Sequence, residues 1–445
     1  MEEDLVVETV KKYTYGTWRF QKDWKPLHIV DVKGCYFYDV NGKEYLDFSS
    51  QLVCSNLGHK NEAVIGAICE QAKKLAYIGP AFACDVRAKL SEELLEVLPK
   101  GLEKFFFSTS GTEANEAAIK ISRMYTGRYK IISRYRSYHG STAGSIALTG
   151  DPRRWAVEPA GKIPGVIFAP DTYCYRCPLM LDYPECGVAC VEYVEYMIKN
   201  EGNVGAVFIE PVVGTNGVIV PPKEYFPRLR RLTEEYDVLL ITDEVMSGWG
   251  RTGRWFAVNH WGIKPDILTT AKGITSAYIP LGLTATTKKI ADYFEEHYFA
   301  HGHTYAAHPL TLAPAIAAIN EYKRLGLIEK SERLGKYLGK RLSEIEEKHP
   351  SVGDVRGLGL FWTIELTKNR RKKEPFNTRE DKISGKTLMV DVLSSELMKR
   401  GLYLIGWINH FLIAPPLIIT QEEIDKALNM IDEVLKISDK EVESS

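Results

Sequence analysis

The chain has 445 residues, of which 45% are apolar and 26% charged, with a formal net charge of -1 at pH 7. Those proportions belong to a globular protein with a large core, and they exclude a basic nucleic-acid surface or an acidic tail as the governing feature. No apolar run approaches the roughly 20 residues that span a bilayer, and the start Met1-Glu2-Glu3-Asp4 lacks the basic and apolar regions of a secretory signal. A cytoplasmic protein without membrane or nucleic-acid partners is expected.

In chain order, residues 36–48 come first: Asn41-Gly42 stands between flanks of alternating apolar residues, a hairpin pattern. From residue 60 to about 325, short apolar runs alternate with helix-length amphipathic stretches. The strand candidates are Lys104–Phe107, Lys130–Ser133, Val166–Ala169, Val204–Ile209, Val238–Thr242, Ile267–Thr270 and Leu281–Ala285. Near-continuous apolar strands alternating with helices indicate an α/β protein whose largely parallel sheet is covered on both faces. A charged helix, Ser331–His349, follows; then strand Gly359–Leu366, helix Lys386–Arg400, strand Leu402–Ile405 and a last helix from Gln421. The expected division is an N-terminal arm and hairpin over 1–59, a large domain over 60–325 and a smaller α+β domain over 326–445. The small domain is expected to take in both termini, since neither piece alone has much core.

Four segments carry chemistry. An apolar strand runs through Phe105-Phe106-Phe107 into Ser108-Thr109-Ser110-Gly111-Thr112, and a helix follows. Backbone N–H groups at a helix start, with small hydroxyl side chains, make a phosphate cradle; plain N-capping by Ser110 or Thr112 uses the same residues. Tyr138-His139-Gly140 places an aromatic after the next strand, where it can stack on a flat ring or close the core edge. Val238–Thr242 ends in Asp243-Glu244, and ligands of open parallel sheets sit at that edge. An acid buried there needs a cationic partner, such as a protonated pyridine nitrogen. Lys272 directly follows the apolar run Asp266–Ala271; a lysine there either reaches solvent or is used covalently.

Taken together, Ser110-Gly111-Thr112-Glu113-Ala114-Asn115, Asp243-Glu244-Val245 and Ala271-Lys272-Gly273 resemble the class III aminotransferases of fold type I, pyridoxal-phosphate enzymes. The resemblance runs from the hairpin to Ala414-Pro415-Pro416-Leu417. It implies that Ser110, Gly111 and Thr112 hold the cofactor phosphate. Tyr138 and Val245 would cover the two ring faces, Asp243 would pair with the ring nitrogen, and Glu210 would lie close by. Lys272 would carry the cofactor as a Schiff base and act with Asp243 as the catalytic pair. Thr304 would reach the phosphate of a neighbouring subunit, in a homodimer or a tetramer of two paired dimers. Trp18, Val53, Phe82, Tyr138 and Trp407 are the expected substrate-pocket residues, with Trp18 on the arm that folds over the site.

Two departures narrow the substrate. Met246 stands where ornithine and 4-aminobutyrate members carry Gln, and Leu412 stands where many carry the Arg that grips an α-carboxylate. The run Asp243–Gly253 looks more like the amine:pyruvate and taurine:pyruvate branch. The expected reaction therefore moves an amino group from an ω-amino acid or primary amine to pyruvate by a ping-pong mechanism. A 4-aminobutyrate:2-oxoglutarate aminotransferase is the alternative. Arg87, Arg134 and Arg136 are the candidates for holding an oxo-acid carboxylate. Cys174-x2-Cys177 and Cys186-x3-Cys190 have a zinc-like format. With reduced thiols favoured, no metal is assigned, and a zinc-stabilised binding protein is the remote alternative. Glutamine occurs at four positions only while Lys and Glu are plentiful, a mix seen in heat-adapted proteins.

Overall fold

The computed structural model describes residues 4–161 and 163–442. Met1–Glu3, on which part of the leader reading rested, lie outside them.

A seven-stranded sheet forms the centre. In spatial order its strands are Leu102–Ser108, Gly282–Thr287, Ile267–Thr270, Leu239–Asp243, Val204–Ile209, Lys130–Arg134 and Val166–Ala169. All seven strand candidates are present, and the class is α/β. Gly282–Thr287 runs antiparallel to both neighbours, and the other pairings are parallel. Connection length explains the reversal. Residues 271–281 hold only a short 3-10 turn, too little for the crossover of about a dozen residues or more that a parallel return requires. Val204–Ile209 is buried at every position, as a strand covered on both faces must be. Helix Gly111–Thr126 lies on the sheet through the small residues Ala114, Ala117 and Ala118. Their size lets the helix come close enough for Thr284 Oγ1 to donate to the Ala114 carbonyl at 2.8 Å.

The termini meet in a second sheet. Ile29–Lys33, Tyr36–Asp39 and Glu44–Asp47 form an antiparallel meander, and Leu402–Tyr403 adds to its edge in parallel, with Leu402 opposite Leu46. A third sheet takes Val352–Leu358, Phe361–Leu366, His410–Ile413 and Ile405–Trp407. Here the structure redraws the sequence reading. The stretch Gly359–Leu366 divides: Gly359 is the turn of a hairpin whose first strand, Val352–Leu358, had no clear alternation. Gly359 has φ +56°, and a Cβ on it would fall 2.3 Å from the Thr252 carbonyl carbon, so only glycine fits. The run Leu402–Ile405 also divides, between two sheets. The helix expected over Lys386–Arg400 starts at Met389, because a separate helix, Arg379–Ser384, ends before it at Gly385 (φ +76°). The charged helix begins one turn early and spans Leu327–Lys348.

Arg251 ties these parts together although it is fully buried. Nη1 donates to the carbonyls of Leu360 (3.0 Å) and Pro415 (2.5 Å), and Nη2 donates to Ser50 Oγ (3.1 Å) and Asn56 Oδ1 (2.8 Å). Among the described residues no helix is long and apolar enough to cross a membrane.

Candidate active site

Six strands of the central sheet point the same way, so their C-terminal ends share one edge, the usual ligand side of such a sheet. Asp243 is the last residue of its strand, and Glu210 directly follows Ile209. Tyr138 comes four residues after Arg134, Lys272 two after Thr270, and Ser110 two after Ser108.

Asp243 is 3% exposed. Its Oδ2 accepts from Asn115 Nδ2 at 2.8 Å and lies 2.8 Å from His139 Nδ1, while Oδ1 accepts from the Val245 N–H at 2.9 Å. Asn115 is held in turn by Thr269 Oγ1, 2.6 Å from its Oδ1, and its Nδ2 also donates to the His139 carbonyl at 2.6 Å. The carboxylate is thus oriented from three segments. Glu210 is also buried; its two oxygens accept from the N–H groups of Tyr138 (3.0 Å) and Gly214 (2.7 Å). Burial raises its pKa to about 7; the negative charge of Asp243 adds to the rise and His139 opposes it.

Ser110 caps helix Gly111–Thr126, its Oγ accepting from the Glu113 N–H at 3.2 Å. The first N–H groups of a helix have no intrahelical acceptor, so Gly111 and Thr112 present theirs outward. Gly111 must be glycine, since a Cβ there would come 2.8 Å from Val245 Cγ2. The helix start and the Val245 side chain are therefore neighbours.

Lys272 has φ +48°, a left-handed conformation that costs a non-glycine residue of order 1 kcal/mol and clusters at functional sites. Burial lowers its pKa, against the pull of the nearby Cys54, Asp243 and Glu210 groups. A desolvated amine of lowered pKa carries more of the neutral form that attacks a carbonyl. The adjacent Gly273 leaves no room for a Cβ, which would meet Asn56 Nδ2 and Trp249 Cβ at 2.6 Å.

The substrate side holds a residue that the sequence did not single out. The Arg153 guanidinium lies 3.7 Å from the Tyr138 ring centre, 4.6 Å from that of Trp407 and 5.6 Å from that of Trp18. Trp18 meets the Tyr138 ring edge-on at 6.1 Å. Asp151 fixes the guanidinium through Nε, 2.9 Å from Oδ2, and through Nη2. Three of the five expected pocket residues therefore converge. The other two do not. Val53 is 2% exposed in an apolar core cluster with Met246 and Leu412, and Phe82 is 62% exposed and joins none of these residues. Thr304 is exposed too, its carbonyl accepting from the Tyr77 hydroxyl at 2.9 Å. Of the expected carboxylate anchors, Arg87 donates to the Pro80 carbonyl at 3.0 Å and Arg134 to Thr172 Oγ1 at 3.0 Å. Asn115 and His139 stood inside the quoted motifs, where their polar side chains on buried turns were the available signal. Arg153 gave none, because its setting is assembled from distant segments.

These groups suit one kind of ligand: a phosphate at the helix start, a flat cationic ring over Asp243 and a carbonyl at Lys272. Asp243 is a buried carboxylate whose partners are hydrogen-bond donors and which forms no ion pair with a lysine or arginine among the described residues, so a ring cation completes it. The fold and site define a fold type I pyridoxal-phosphate enzyme.

The chain belongs to the class III aminotransferases, whose family model matches residues 20–435. It is similar to the leucine/methionine racemase of Thermococcus litoralis, 35% identical over 93% of this chain and 91% of that protein. It is also similar to the taurine–pyruvate aminotransferase of Bilophila wadsworthia, 34% identical over 95% of each. Among solved structures, the taurine:2-oxoglutarate aminotransferase of Bifidobacterium kashiwanohense, in complex with pyridoxal phosphate and glutamate, is 36% identical with a TM-score of 0.92 over 98% of each chain. The protein is a pyridoxal-phosphate-dependent aminotransferase, and the non-enzymatic zinc-protein alternative is set aside. Cys174, Cys177, Cys186 and Cys190 line a single surface cavity as free thiols.

Proposed function

We propose that this enzyme transfers the amino group of an ω-amino acid with a distal acidic group, of the β-alanine or taurine type, to pyruvate in a ping-pong cycle. The observation that carries the reading is the Arg153 guanidinium framed by Tyr138, Trp18 and Trp407. Aromatic faces favour a cation, and Arg offers a planar fork of donors to a carboxylate or sulfonate. Trp407 Nε1 is buried without a partner beside it, a donor left for the same anion. Met246 and Leu412, by contrast, share one apolar cluster, which leaves an α-carboxylate no partner where other members carry Gln and Arg. The missing Gln and Arg set this chain apart by pattern from the 4-aminobutyrate:2-oxoglutarate members; the α-carboxylate itself is common to pyruvate and 2-oxoglutarate and does not choose between them.

Bound pyridoxal phosphate supplies an electron sink for the carbanion formed at the amino-bearing carbon. In our reading Lys272 would hold the cofactor covalently, and its amine, once free, would take and return the proton at the amino-bearing substrate carbon. Asp243 would keep the ring nitrogen protonated, with Asn115 and His139 on its Oδ2 and the Val245 N–H on its Oδ1. Ser110, Gly111 and Thr112 take the phosphate. Tyr138 and Val245 would flank the ring, and Glu210 holds the Tyr138 N–H. We read the active protein as a homodimer, or a tetramer made of two such dimers, in which Thr304 of one copy completes the phosphate site of the other. The chain divides, in this reading, into 1–59, 60–325 and 326–445, with both ends in the small domain.

Arg153→Ala tests the substrate assignment. The KM for β-alanine or taurine should rise about 10- to 100-fold, the worth of a charge-assisted contact, while an uncharged aryl-alkylamine donor is affected far less. An equal effect on both donors would remove Arg153 from substrate recognition.

A further inference from the structure

Four cysteines that transamination leaves unused, Cys174, Cys177, Cys186 and Cys190, gather at one surface cavity whose walls include Leu179 and Val188. All four are free thiols; Cys174 is exposed and the other three are part-buried. Burial raises the pKa of Cys174, and the nearby Cys177 and Cys186 add to the rise. Burial takes Cys190 up to about 11, with Arg134 opposing and Cys174 and Cys186 again adding. Cys174 therefore lies within electrostatic reach of each of the other three. A negative charge is costly in this cavity, so its lasting forms are the neutral ones, protonated thiols or a disulfide. A divalent ion on four thiolates would leave two net negative charges there. Among the described residues no group of three or more His, Cys, Asp or Glu side chains is arranged to hold a metal ion.

Local geometry picks the pair. Cys174 opens the 3-10 turn Cys174–Arg176, and Cys177 caps its end. Side chains three apart on such a turn eclipse one another, and a rise of about 2 Å per residue sets their Cα atoms about 6 Å apart, inside the range of a disulfide. The same turn fastens two parts of the fold. Arg176, between the two cysteines, donates through Nε to the Lys373 carbonyl at 2.6 Å and pairs through Nη1 with Glu365 of strand Phe361–Leu366. Tyr173, which precedes the pair, donates its hydroxyl to the same Glu365, and the Arg136 guanidinium lies 4.5 Å from its ring centre. Strand Val166–Ala169, at the edge of the central sheet, leads into this segment.

We propose that Cys174 and Cys177 are a dithiol that a peroxide converts to a disulfide, locking the turn that joins the edge of the central sheet to the third sheet. One thiol takes an oxygen from the peroxide as the O–O bond breaks, becoming a sulfenic acid and releasing water. The second thiol displaces the hydroxyl as a second water, and the S–S bond forms. Two electrons and the two thiol protons thus pass to the peroxide. The pair takes no part in transamination, so its failure leaves the proposed function standing.

The test reduces the holoenzyme, treats it with hydrogen peroxide, alkylates the remaining thiols and digests with trypsin without reductant. Cleavage after Arg176 separates the peptide 163–176, which carries Cys174, from the peptide 177–199, which carries the other three. The two should stay joined after peroxide and part on adding a thiol reductant. Cys177→Ser should abolish the join, and Cys186→Ser and Cys190→Ser should keep it. The oxidised wild type should melt about 2 °C above the reduced form, the worth of a short closed loop in a chain of this size, and Cys177→Ser should show no such gain. Alkylated Cys174 after peroxide, or a join that survives in Cys177→Ser, overturns the pair. A link formed without any gain in melting temperature overturns the locking role. Purified protein that holds one zinc ion per chain on these thiols, and resists peroxide until the zinc is chelated, overturns the proposal in favour of a metal site.

Discussion

Met246 and Leu412 lie 166 positions apart and bury together in one apolar cluster, with Val53, Val212, Val218 and Ala414. The two departures that looked independent in the sequence are one physical feature, an apolar patch where a Gln and an Arg would otherwise face a carboxylate. Leu412→Arg should therefore destabilise the fold by about 3 kcal/mol or more, the penalty of an unpaired buried charge. Thermal melting reads this directly, and a melting temperature equal to the wild type would show that the patch is not dry.

Lys272→Ala is expected to abolish covalent capture of the cofactor. Borohydride treatment of the wild type with pyridoxal phosphate should add the reduced cofactor to the peptide that carries residue 272, as mass spectrometry reads it. The variant should show no such adduct and should lose at least about 10³-fold in turnover, the range of a lost proton carrier. An adduct on another lysine would reassign the attachment.

Asp243→Asn should keep covalent attachment and lose roughly 10³-fold in rate, because the charge that holds the ring protonated is gone. Asn115→Ala tests positioning. Its Nδ2 spans the His139 carbonyl and Asp243 Oδ2, at 2.6 and 2.8 Å. Its loss should reduce kcat about 10- to 100-fold, the scale of one hydrogen bond to a charged group. The visible spectrum of the bound cofactor should shift in parallel, since the ring nitrogen answers to that carboxylate. A drop in KM or stability alone would make Asn115 merely structural.

Stability should depend on pH through Glu244. This residue is fully buried and accepts from Ser247 Oγ (2.5 Å) and from the N–H groups of Ala257 (3.0 Å) and Val258 (2.8 Å). Burial nonetheless raises its pKa from 4.5 to about 7. Between those values the folded state binds more protons than the unfolded one at this group, so its contribution is fully present below pH 4.5 and is lost as pH rises through 7. The loss is about 3 kcal/mol for Glu244 by linkage, and the raised pKa of Glu210 acts in the same direction. His410, whose pKa burial lowers to about 3, pulls the other way between pH 5 and pH 8, so the Glu244 share is read as a difference: over that range the melting temperature of the cofactor-free wild type should fall more, or rise less, than that of Glu244→Gln. An unchanged slope in the variant would place the dependence elsewhere.

Much of this was legible before any coordinates. The strands of the central sheet announced themselves as apolar runs because a strand covered on both faces has little other choice of residue. Ser110–Asn115, Asp243–Val245 and Ala271–Gly273 were readable because each is local: a strand end or helix start carries its chemistry within a few residues. Where local pattern was weak, as in Val352–Leu358 and the divided stretch Leu402–Trp407, the elements were missed or merged.

Sequence alone determined the sheet, the order of the cofactor motifs along it and the lysine after its strand, since these depend on periodicity and on contiguous residues. Tertiary structure alone decided which side chains converge. Arg153 meets Trp18, Tyr138 and Trp407 only because folding brings the three rings around it. Asp243 owes the hold on its Oδ2 to Asn115 and His139, while the neighbouring Val245 N–H takes its Oδ1. Contacts between residues a hundred or more positions apart leave no trace in local spacing, because the chain meets them by packing and not by succession.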